Sequence, residues 1–257
     1  MNASLHIALV GNPNSGKSSL FNALTGLHQK VGNFPGVTVD KKTGKMVIGD
    51  YPTTLVDLPG TYSFYPKRED EWVAYKVLMG VDPDVKTDVI LLIADASNLK
   101  RNLLFCSQII DLKLPVVLAL TMNDLAAKKG IKIDIAGLQA DLGIPVVAVD
   151  ARKNKGLQEL KTALNTIIQT PRAKNVESFI DNKALAPEAI NDFKKLYPTH
   201  SEYAALHYLM HHEAFPLDDE MQNTIEQIEI DHNFNHTKKQ AQEILQRYRR
   251  IQEIMKN

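Results

Sequence analysis

Apolar residues follow two different patterns along this chain, and the pattern changes near residue 170. Up to that point, short unbroken apolar runs alternate with segments in which apolar residues recur every three or four positions. The runs are typical of strands buried on both faces, and the recurring pattern is typical of helices. Predicted strands cover 5–10, 44–48, 53–56, 89–94, 116–120 and 146–149, and predicted helices cover 19–25, 70–79, 99–112, 135–142 and 156–168.

Strands that alternate with helices of this length predict an α/β fold, a mostly parallel sheet with helices on both faces. The Gly49-Asp50 pair between two of the predicted strands indicates a hairpin, so one pair should be antiparallel. The segment 27–39 is rich in Gly, Asn and Pro, and we expect it to be neither helix nor strand.

Beyond Pro171 the sequence contains no strand-like run and several amphipathic segments. The last of them has apolar residues spaced by three and four, which predicts one continuous apolar face on a long helix. The predicted helices cover 187–196, 201–212, 220–230 and 236–255. We therefore expect an α/β domain over 1–170 and a small all-helical domain over 171–257.

Composition narrows the class of protein. The 257 residues have a formal net charge of zero, which argues against nucleic-acid binding through bulk electrostatics. The single cysteine, Cys106, has no partner for an internal disulfide and stands among apolar residues, as expected of a small core residue in a cytoplasmic protein. No window approaches the roughly 18 apolar residues of a membrane-spanning helix, so we expect this chain to be soluble as given.

The chemistry of the chain is concentrated in a G-x-x-x-x-G-K-[ST] phosphate loop between the first predicted strand and helix. In such a loop successive backbone N–H groups cradle phosphate oxygens, and the following helix adds its positive dipole end. Lys17 is expected to reach the β- and γ-phosphates, and the Ser18 hydroxyl to bind magnesium. The predicted contacts are Gly11, Asn12, Asn14, Ser15, Gly16, Lys17, Ser18 and Ser19. The chain is thus predicted to bind a nucleoside triphosphate.

Two further segments follow in the order of a triphosphate switch. Thr38, in the irregular stretch, is expected to complete the magnesium shell. Asp57, at the end of a predicted strand, is expected to hold magnesium through water, and the N–H of Gly60 to meet the γ-phosphate.

Three segments together resemble the FeoB family of bacterial ferrous-iron transporters. They are Val31 to Val39, Asp57 to Ser63 and Asp95 to Leu103. The resemblance implies a G domain that binds and hydrolyses GTP to GDP, with Gly36 and Val37 also near the nucleotide. It implies that the helical domain stabilises bound GDP and couples the G domain to a membrane permease absent from this chain. It also implies the cytoplasmic face of the inner membrane, with self-association and small accessory Feo proteins as possible partners.

The base-recognition segments depart from the family pattern. N-M-x-D appears here as Thr121-Met122-Asn123-Asp124, in which Asp124 is placed to accept from guanine N1–H and the exocyclic amine. Thr121 replaces an asparagine, so relaxed use of GTP and ATP is an alternative. A weaker alternative is that Asn123 takes over the role of that asparagine in a shifted register.

In the last base loop, Asp150-Ala151-Arg152, the Ala151 N–H is expected to donate to guanine O6. Asp150 is expected either to cap the loop or to bind the base edge.

Hydrolysis is expected to be slow and to depend on Lys17, Thr38, Gly60 and Asn14. Thr61 stands where Ras-like enzymes have a glutamine, and the sequence shows no arginine at an obvious finger position in the switch loop. In potassium-activated GTPases, which the family resembles, an asparagine at the place of Asn14 binds potassium. Backbone carbonyls around 32–34 would complete that cation site.

Several hypotheses compete with a regulatory GTPase head of an iron transporter. One is a potassium-activated G protein of RNA modification or ribosome assembly, and another is a nucleotide-occupancy switch with incidental hydrolysis. His207 and His211 have metal-ligand spacing, but we expect ordinary surface histidines. Asp70 and Glu71 are interpreted as helix-terminal charges, and Arg247, Arg249 and Arg250 as a solvated helix face.

Overall fold

The computed structural model describes residues 4–26, 29–33, 39–170 and 177–256. In these ranges seven strands form one sheet in the order β2-β3-β4-β1-β5-β6-β7. Pairings of β1 with β4 and β5, of β5 with β6 and of β6 with β7 are parallel, and β2 and β3 run antiparallel to their neighbours. The strands are β1 (Leu5–Gly11), β2 (Gln29–Asn33), β3 (Asp40–Ile48), β4 (Tyr51–Asp57), β5 (Val89–Asp95), β6 (Val116–Thr121) and β7 (Val146–Ala148).

Helices cover both faces of the sheet, which confirms the predicted α/β class. The α/β part contains α1 (Lys17–Thr25), α2 (Glu69–Met79), α3 (Leu99–Asp111), α4 (Asn123–Lys128), α5 (Ile135–Leu142) and α6 (Leu157–Gln169). Alternate residues of β1 pack into different clusters: Ile7 and Leu9 on the side of α1 and α6, and Ala8 and Val10 on the side of α2 and α3. Cys106, on α3, is buried as expected, and burial raises the pKa of its thiol to about 12.

Two elements correct the sequence interpretation. β2 lies in the segment expected to hold no strand, where it forms the sheet edge and pairs from Gln29 opposite Gly44 to Asn33 opposite Asp40. The sequence of β2 has no apolar pattern that would indicate a strand. The strand is recognisable only from its backbone pairing with β3. The short helix α4 was not predicted, since Ala126, the one residue of this helix that is buried, gives no periodicity.

The described residues from 177 onward contain helices and no strand, as predicted. These helices are α7 (Pro187–Leu196), α8 (Glu202–His211), α9 (Asp219–Asp231) and α10 (His236–Ile254). They share one hydrophobic cluster with α2 and α3, so the helical part packs directly against one face of the α/β part. No helix within the described ranges is long and apolar enough to cross a membrane.

The long helix α10 is buried differently from the prediction. Leu245 is 52% exposed and Met255 is 43% exposed, whereas Glu243 and Arg247 are fully buried. Arg247 is therefore not on a solvated face: its guanidinium lies 3.0 Å from the buried Asp111 carboxylate on α3, contacts Glu243, and donates to the Ser107 carbonyl at 2.8 Å. Burial alone would lower the pKa of Arg247, but the neighbouring carboxylates outweigh burial and raise it.

Arg247→Met should lower the free energy of unfolding by about 3–5 kcal/mol, because it leaves Glu243 buried without a cation and Asp111 with only its longer contact to Lys113, at 3.9 Å. Arg249, exposed on the same helix, offers a matched control: Arg249→Met should change stability by less than about 0.5 kcal/mol. Urea unfolding followed by circular dichroism measures both. Equal, small losses for the two variants would contradict the structural role given to Arg247.

Candidate nucleotide-binding site

The parallel strands end at one edge of the sheet, and the loops that follow β1, β4, β6 and β7 meet there. Open α/β sheets bind ligands at this edge. The loops border a cavity of about 510 Å³. It is lined by Asn12, Pro13, Asn14, Gly16, Lys17, Ser18, Ser19, Gly60, Arg68, Asp70, Met122 and Arg152. The predicted phosphate loop is thus brought together with the segment from Asp57 to Arg68, here called the second switch, and with one residue of each base loop, Met122 and Arg152.

The phosphate loop has the backbone conformation that its sequence predicts. Gly16 has a φ of 87°, in the left-handed region that favours glycine, and α1 begins at the next residue. Asn14 also has a positive φ, 63°, and its side chain is exposed at the cavity. Asn14 and Ser18 are therefore both accessible to a ligand, as the predicted roles require.

Lys17 and Asp57 join the phosphate loop to the end of β4. The Lys17 ammonium donates to Asp57 Oδ1 in a short contact, with both side chains largely buried. Gly60 then passes so close to the phosphate loop that an added Cβ would lie 3.1 Å from the nitrogen of Pro13. The two predicted phosphate-sensing segments are thus held directly against each other.

Two side chains of the phosphate loop, Asn12 and Ser15, contain buried polar atoms that are not hydrogen-bonded to the described residues. These atoms are both amide atoms of Asn12 and the hydroxyl of Ser15. Asn12 also lines the cavity. Because an unsatisfied buried polar group is unfavourable by about 1–3 kcal/mol, these atoms fit a polar ligand better than an apolar one.

The end of the second switch is fixed by hydrogen bonds that leave the Thr61 hydroxyl outside the cavity lining. The Thr61 N–H donates to the Gly11 carbonyl at 3.2 Å, and the hydroxyl donates to the Ser63 carbonyl at 2.8 Å. The Thr61 hydroxyl is thus bonded within the protein and does not line the cavity. Its neighbour Tyr62 stacks under the guanidinium of Arg101, 4.1 Å from the ring centre.

Thr121 ties down the phosphate loop although it replaces an asparagine. Its hydroxyl lies 2.6 Å from the Ser15 carbonyl and 3.0 Å from the Ala94 carbonyl, so it bridges the loop and β5. Asn123 uses its amide nitrogen within the protein, donating to the carbonyls of Leu120 at 2.7 Å and Val149 at 3.3 Å. Because this amide nitrogen is already bonded within the protein, the structure disfavours the hypothesis that Asn123 takes over the role of the missing asparagine in a shifted register. Asp124 is exposed in the first turn of α4.

The last base loop shows one of the two roles considered for Asp150. Its carboxylate accepts from the backbone N–H groups of Arg152 at 3.1 Å and Lys153 at 3.2 Å, which caps the loop. The loop is closed further by backbone hydrogen bonds between Asp150 and Lys155. Ala151 lies within this capped turn, and Arg152 reaches the cavity.

Part of the predicted site lies outside the described residues: Gly36, Val37 and Thr38, together with Phe34, whose carbonyl is among those expected to complete the potassium site. The remaining magnesium candidates, Ser18 and Asp57, supply a hydroxyl and a carboxylate, the oxygen ligands that magnesium prefers. They flank Lys17 at the phosphate loop, so the donor chemistry fits the ion. Over the described ranges no cluster of three His, Cys, Asp or Glu side chains is arranged to hold a metal.

His207 and His211 are not surface histidines, contrary to the sequence interpretation. His207 is fully buried on α8 and lies 3.0 Å from the Tyr75 hydroxyl of α2. Burial lowers the pKa of His207 well below its usual value and lowers that of His211 to about 4. Both rings are neutral at pH 7 and act as packing between α8 and α2.

Arg68 and Asp70 are cavity residues that the sequence interpretation missed. Arg68 immediately precedes α2 and lines the same cavity as Lys17 and Gly60, although no arginine was recognised in the switch loop. The basic pair Lys67-Arg68 is the feature of the sequence that could have indicated a cation at this site. The sequence does not show, however, that the loop after β4 brings Arg68 back to the cavity.

Sequence and structure comparisons place this architecture in a known family. The family model for ferrous iron transport protein B matches residues 5–164. The Fe(2+) transporter FeoB of Leptospira biflexa is 46% identical over 160 residues, and that of Escherichia coli K12 is 44% identical over 165. These alignments cover 62% and 63% of this chain but only 23% and 21% of the relatives, so the chain spans less than a quarter of their length.

Solved structures match nearly the whole chain. The apo cytosolic domain of the T. maritima FeoB iron transporter has a TM-score of 0.82 at 31% identity, covering 99% of each chain. Its GMPPNP form has a TM-score of 0.78 at 31% identity, covering 98% of that chain and 98% of this one. The cytosolic domain of L. pneumophila FeoB has a TM-score of 0.79 at 33% identity, again covering 98% of each chain. The chain belongs to the ferrous iron transport protein B family.

Proposed function

We propose that this chain binds and hydrolyses GTP as the regulatory head of a bacterial ferrous-iron transporter. The observation that carries the proposal is the cavity at the carboxyl edge of the sheet, where Lys17, the unsatisfied Asn12 amide and Gly60 converge. Solved relatives described as GDP and GMPPNP forms support a guanine nucleotide in this cavity. The remainder of the transporter, a membrane permease, is the partner to which the head responds at the cytoplasmic face.

Triphosphate binding would redistribute charge at the phosphate loop. Lys17 is neutralised by Asp57 in this structure, and a triphosphate offers its ammonium a stronger anionic partner. Asp57 and Ser18 would then hold magnesium, with Thr38, and the ion supplies neutralisation of phosphate charge when bound. Backbone N–H groups of the phosphate loop and Gly60 orient the γ-phosphate for attack by water.

Asn14 supports a potassium requirement for hydrolysis. Its amide is exposed at the cavity from a left-handed backbone position, so its oxygen can bind a cation beside the phosphates. A monovalent cation there adds positive charge in a chain where the Thr61 hydroxyl does not line the cavity. Asp124, exposed in the first turn of α4 two residues after the cavity residue Met122, confers the preference for guanine.

Phosphate release from GTP and ATP, each in potassium and in sodium buffer, tests this proposal. We expect slow turnover of GTP, stimulated by potassium, and much slower turnover of ATP. Asn14→Ala should remove the potassium stimulation and leave the rate in sodium unchanged, because only the cation site is lost.

The alternatives give different results in the same assay. Comparable ATP turnover would indicate an NTPase with relaxed base choice. Equally slow turnover in both buffers and both proteins would instead favour a nucleotide-occupancy switch and contradict the potassium role.

The Thr121 hydroxyl should contribute to nucleotide affinity through the phosphate loop. Thr121→Val keeps the shape but leaves the Ser15 carbonyl without its donor, and should raise the GDP dissociation constant about fivefold, equivalent to about 1 kcal/mol. Thr121→Ser keeps the hydroxyl and should stay close to the wild type. Titration calorimetry distinguishes them, and identical affinities for the two variants would refute this contribution.

The helical part is proposed to stabilise bound GDP through the second switch. The Phe64 N–H donates to Gln108 Oε1 at 2.7 Å, and Gln108 Nε2 donates to Glu243 of α10 at 3.4 Å. The Phe64 ring also packs against Tyr203 of α8, with ring centres 5.9 Å apart. The second switch thus contacts the helical domain through both a hydrogen-bond chain and buried aromatic rings.

Gln108→Leu breaks this chain in the buried interface and should speed GDP dissociation by about fivefold, the equivalent of one lost hydrogen bond. Gln158→Leu, an exposed change on α6, is the matched control and should not alter the rate. Displacement of a fluorescent GDP analogue measures both. A normal rate in the Gln108 variant would argue that the helical domain does not act through Phe64.

A further inference from the structure

Three basic side chains line the nucleotide cavity: Lys17, Arg68 and Arg152. Lys17 comes from the phosphate loop, and Arg152 belongs to the loop that follows β7. Arg68 comes from the second switch, beyond Gly60 and immediately before α2. Arg68 therefore adds a cation to the Lys17 of the phosphate loop, and it is carried by the segment expected to sense the γ-phosphate.

The Arg68 side chain is held loosely. It is 59% exposed, and its Nη2 atom lies 3.3 Å from Asp70 Oδ2 and 3.3 Å from Glu71 Oε1. Exposed pairs of this kind contribute little stability. Both contacts use Nη2, so the Nε and Nη1 hydrogens are not committed to these two carboxylates.

The Arg68 side chain does not cap the helix that it precedes. Arg68 occupies the N-cap position of α2, yet its side chain makes no capping hydrogen bond. The start of the helix is instead supported by Glu71, whose Oε2 accepts from the Lys67 N–H at 2.8 Å. A change at Arg68 can therefore remove the guanidinium without removing a cap.

We propose that Arg68 is a catalytic residue that contacts the γ-phosphate of bound GTP, acting as an internal arginine finger. This role rests on the proposed GTPase function. In the reaction, water forms a bond to the γ-phosphorus while the bond from that phosphorus to the β–γ bridging oxygen breaks, giving GDP and inorganic phosphate. Arg68 neither gains nor loses a proton; its N–H groups donate to oxygens on which negative charge develops.

The arginine is suited to this role by its planar set of donors. It can keep one carboxylate contact through Nη2 and donate to a phosphate through the other nitrogens. Asp70, which also lines the cavity, keeps the guanidinium at the rim until the more highly charged γ-phosphate competes for it.

The test compares Arg68→Ala, Arg68→Lys and Lys67→Ala in steady-state phosphate release from GTP with magnesium present. Lys67 is the exposed neighbour and provides a control with the same loss of charge. Arg68→Ala should lower kcat by about tenfold or more, in potassium and in sodium alike, with an unchanged dissociation constant for GDP. Lys67→Ala should match the wild type, and Arg68→Lys should recover only part of the loss.

Two results overturn this role while leaving the GTPase function intact. One is a kcat for Arg68→Ala equal to that of Lys67→Ala. The other is a loss in GDP affinity and in thermal midpoint that accounts for the whole fall in kcat, which would make Arg68 structural. A wild-type chain that releases no phosphate from GTP would overturn both proposals together.

Discussion

The contact between Lys17 and Asp57 forms because parallel strands end at the same edge of the sheet. β1 delivers the phosphate loop to this edge, and the neighbouring β4 delivers Asp57 beside it. On the other side of β1 the sheet continues with β5 and β6. Thr121, the last residue of β6, therefore lies where its hydroxyl reaches the Ser15 carbonyl. The phosphate loop is therefore held from both sides, by Asp57 at the end of β4 and by Thr121 at the end of β6.

The helical domain extends this arrangement away from the cavity. Arg247 and Glu243 are buried against α3, and Gln108 on the same helix reaches the backbone of the second switch. A buried charge must keep its partners, so this interface has little freedom to shift without loss of stability. The second switch thus contacts the phosphate loop at Gly60 and packs against the helical part at Phe64.

The features that could be predicted from the sequence are those determined by neighbouring residues, and the features that could not are those determined by residues distant along the chain. The phosphate loop was predicted because its chemistry is local: glycine at a left-handed position, then lysine at a helix start. The edge strand β2 was missed because it depends on pairing with a distant segment. Arg247 was misjudged because its partner Asp111 lies far along the chain, and Arg68 because only the folded loop brings it to the cavity.

Equilibrium binding of GDP and ADP to the wild-type chain, measured by titration calorimetry in magnesium buffer, tests the central claim most directly. The claim is that this edge remains a guanine-nucleotide site although Thr121 and Asp150 depart from the usual pattern. The account predicts that GDP binds at least about 100-fold more tightly than ADP, since only guanine satisfies the Asp124 carboxylate. Equal affinity for the two nucleotides, or no binding of either, would contradict it.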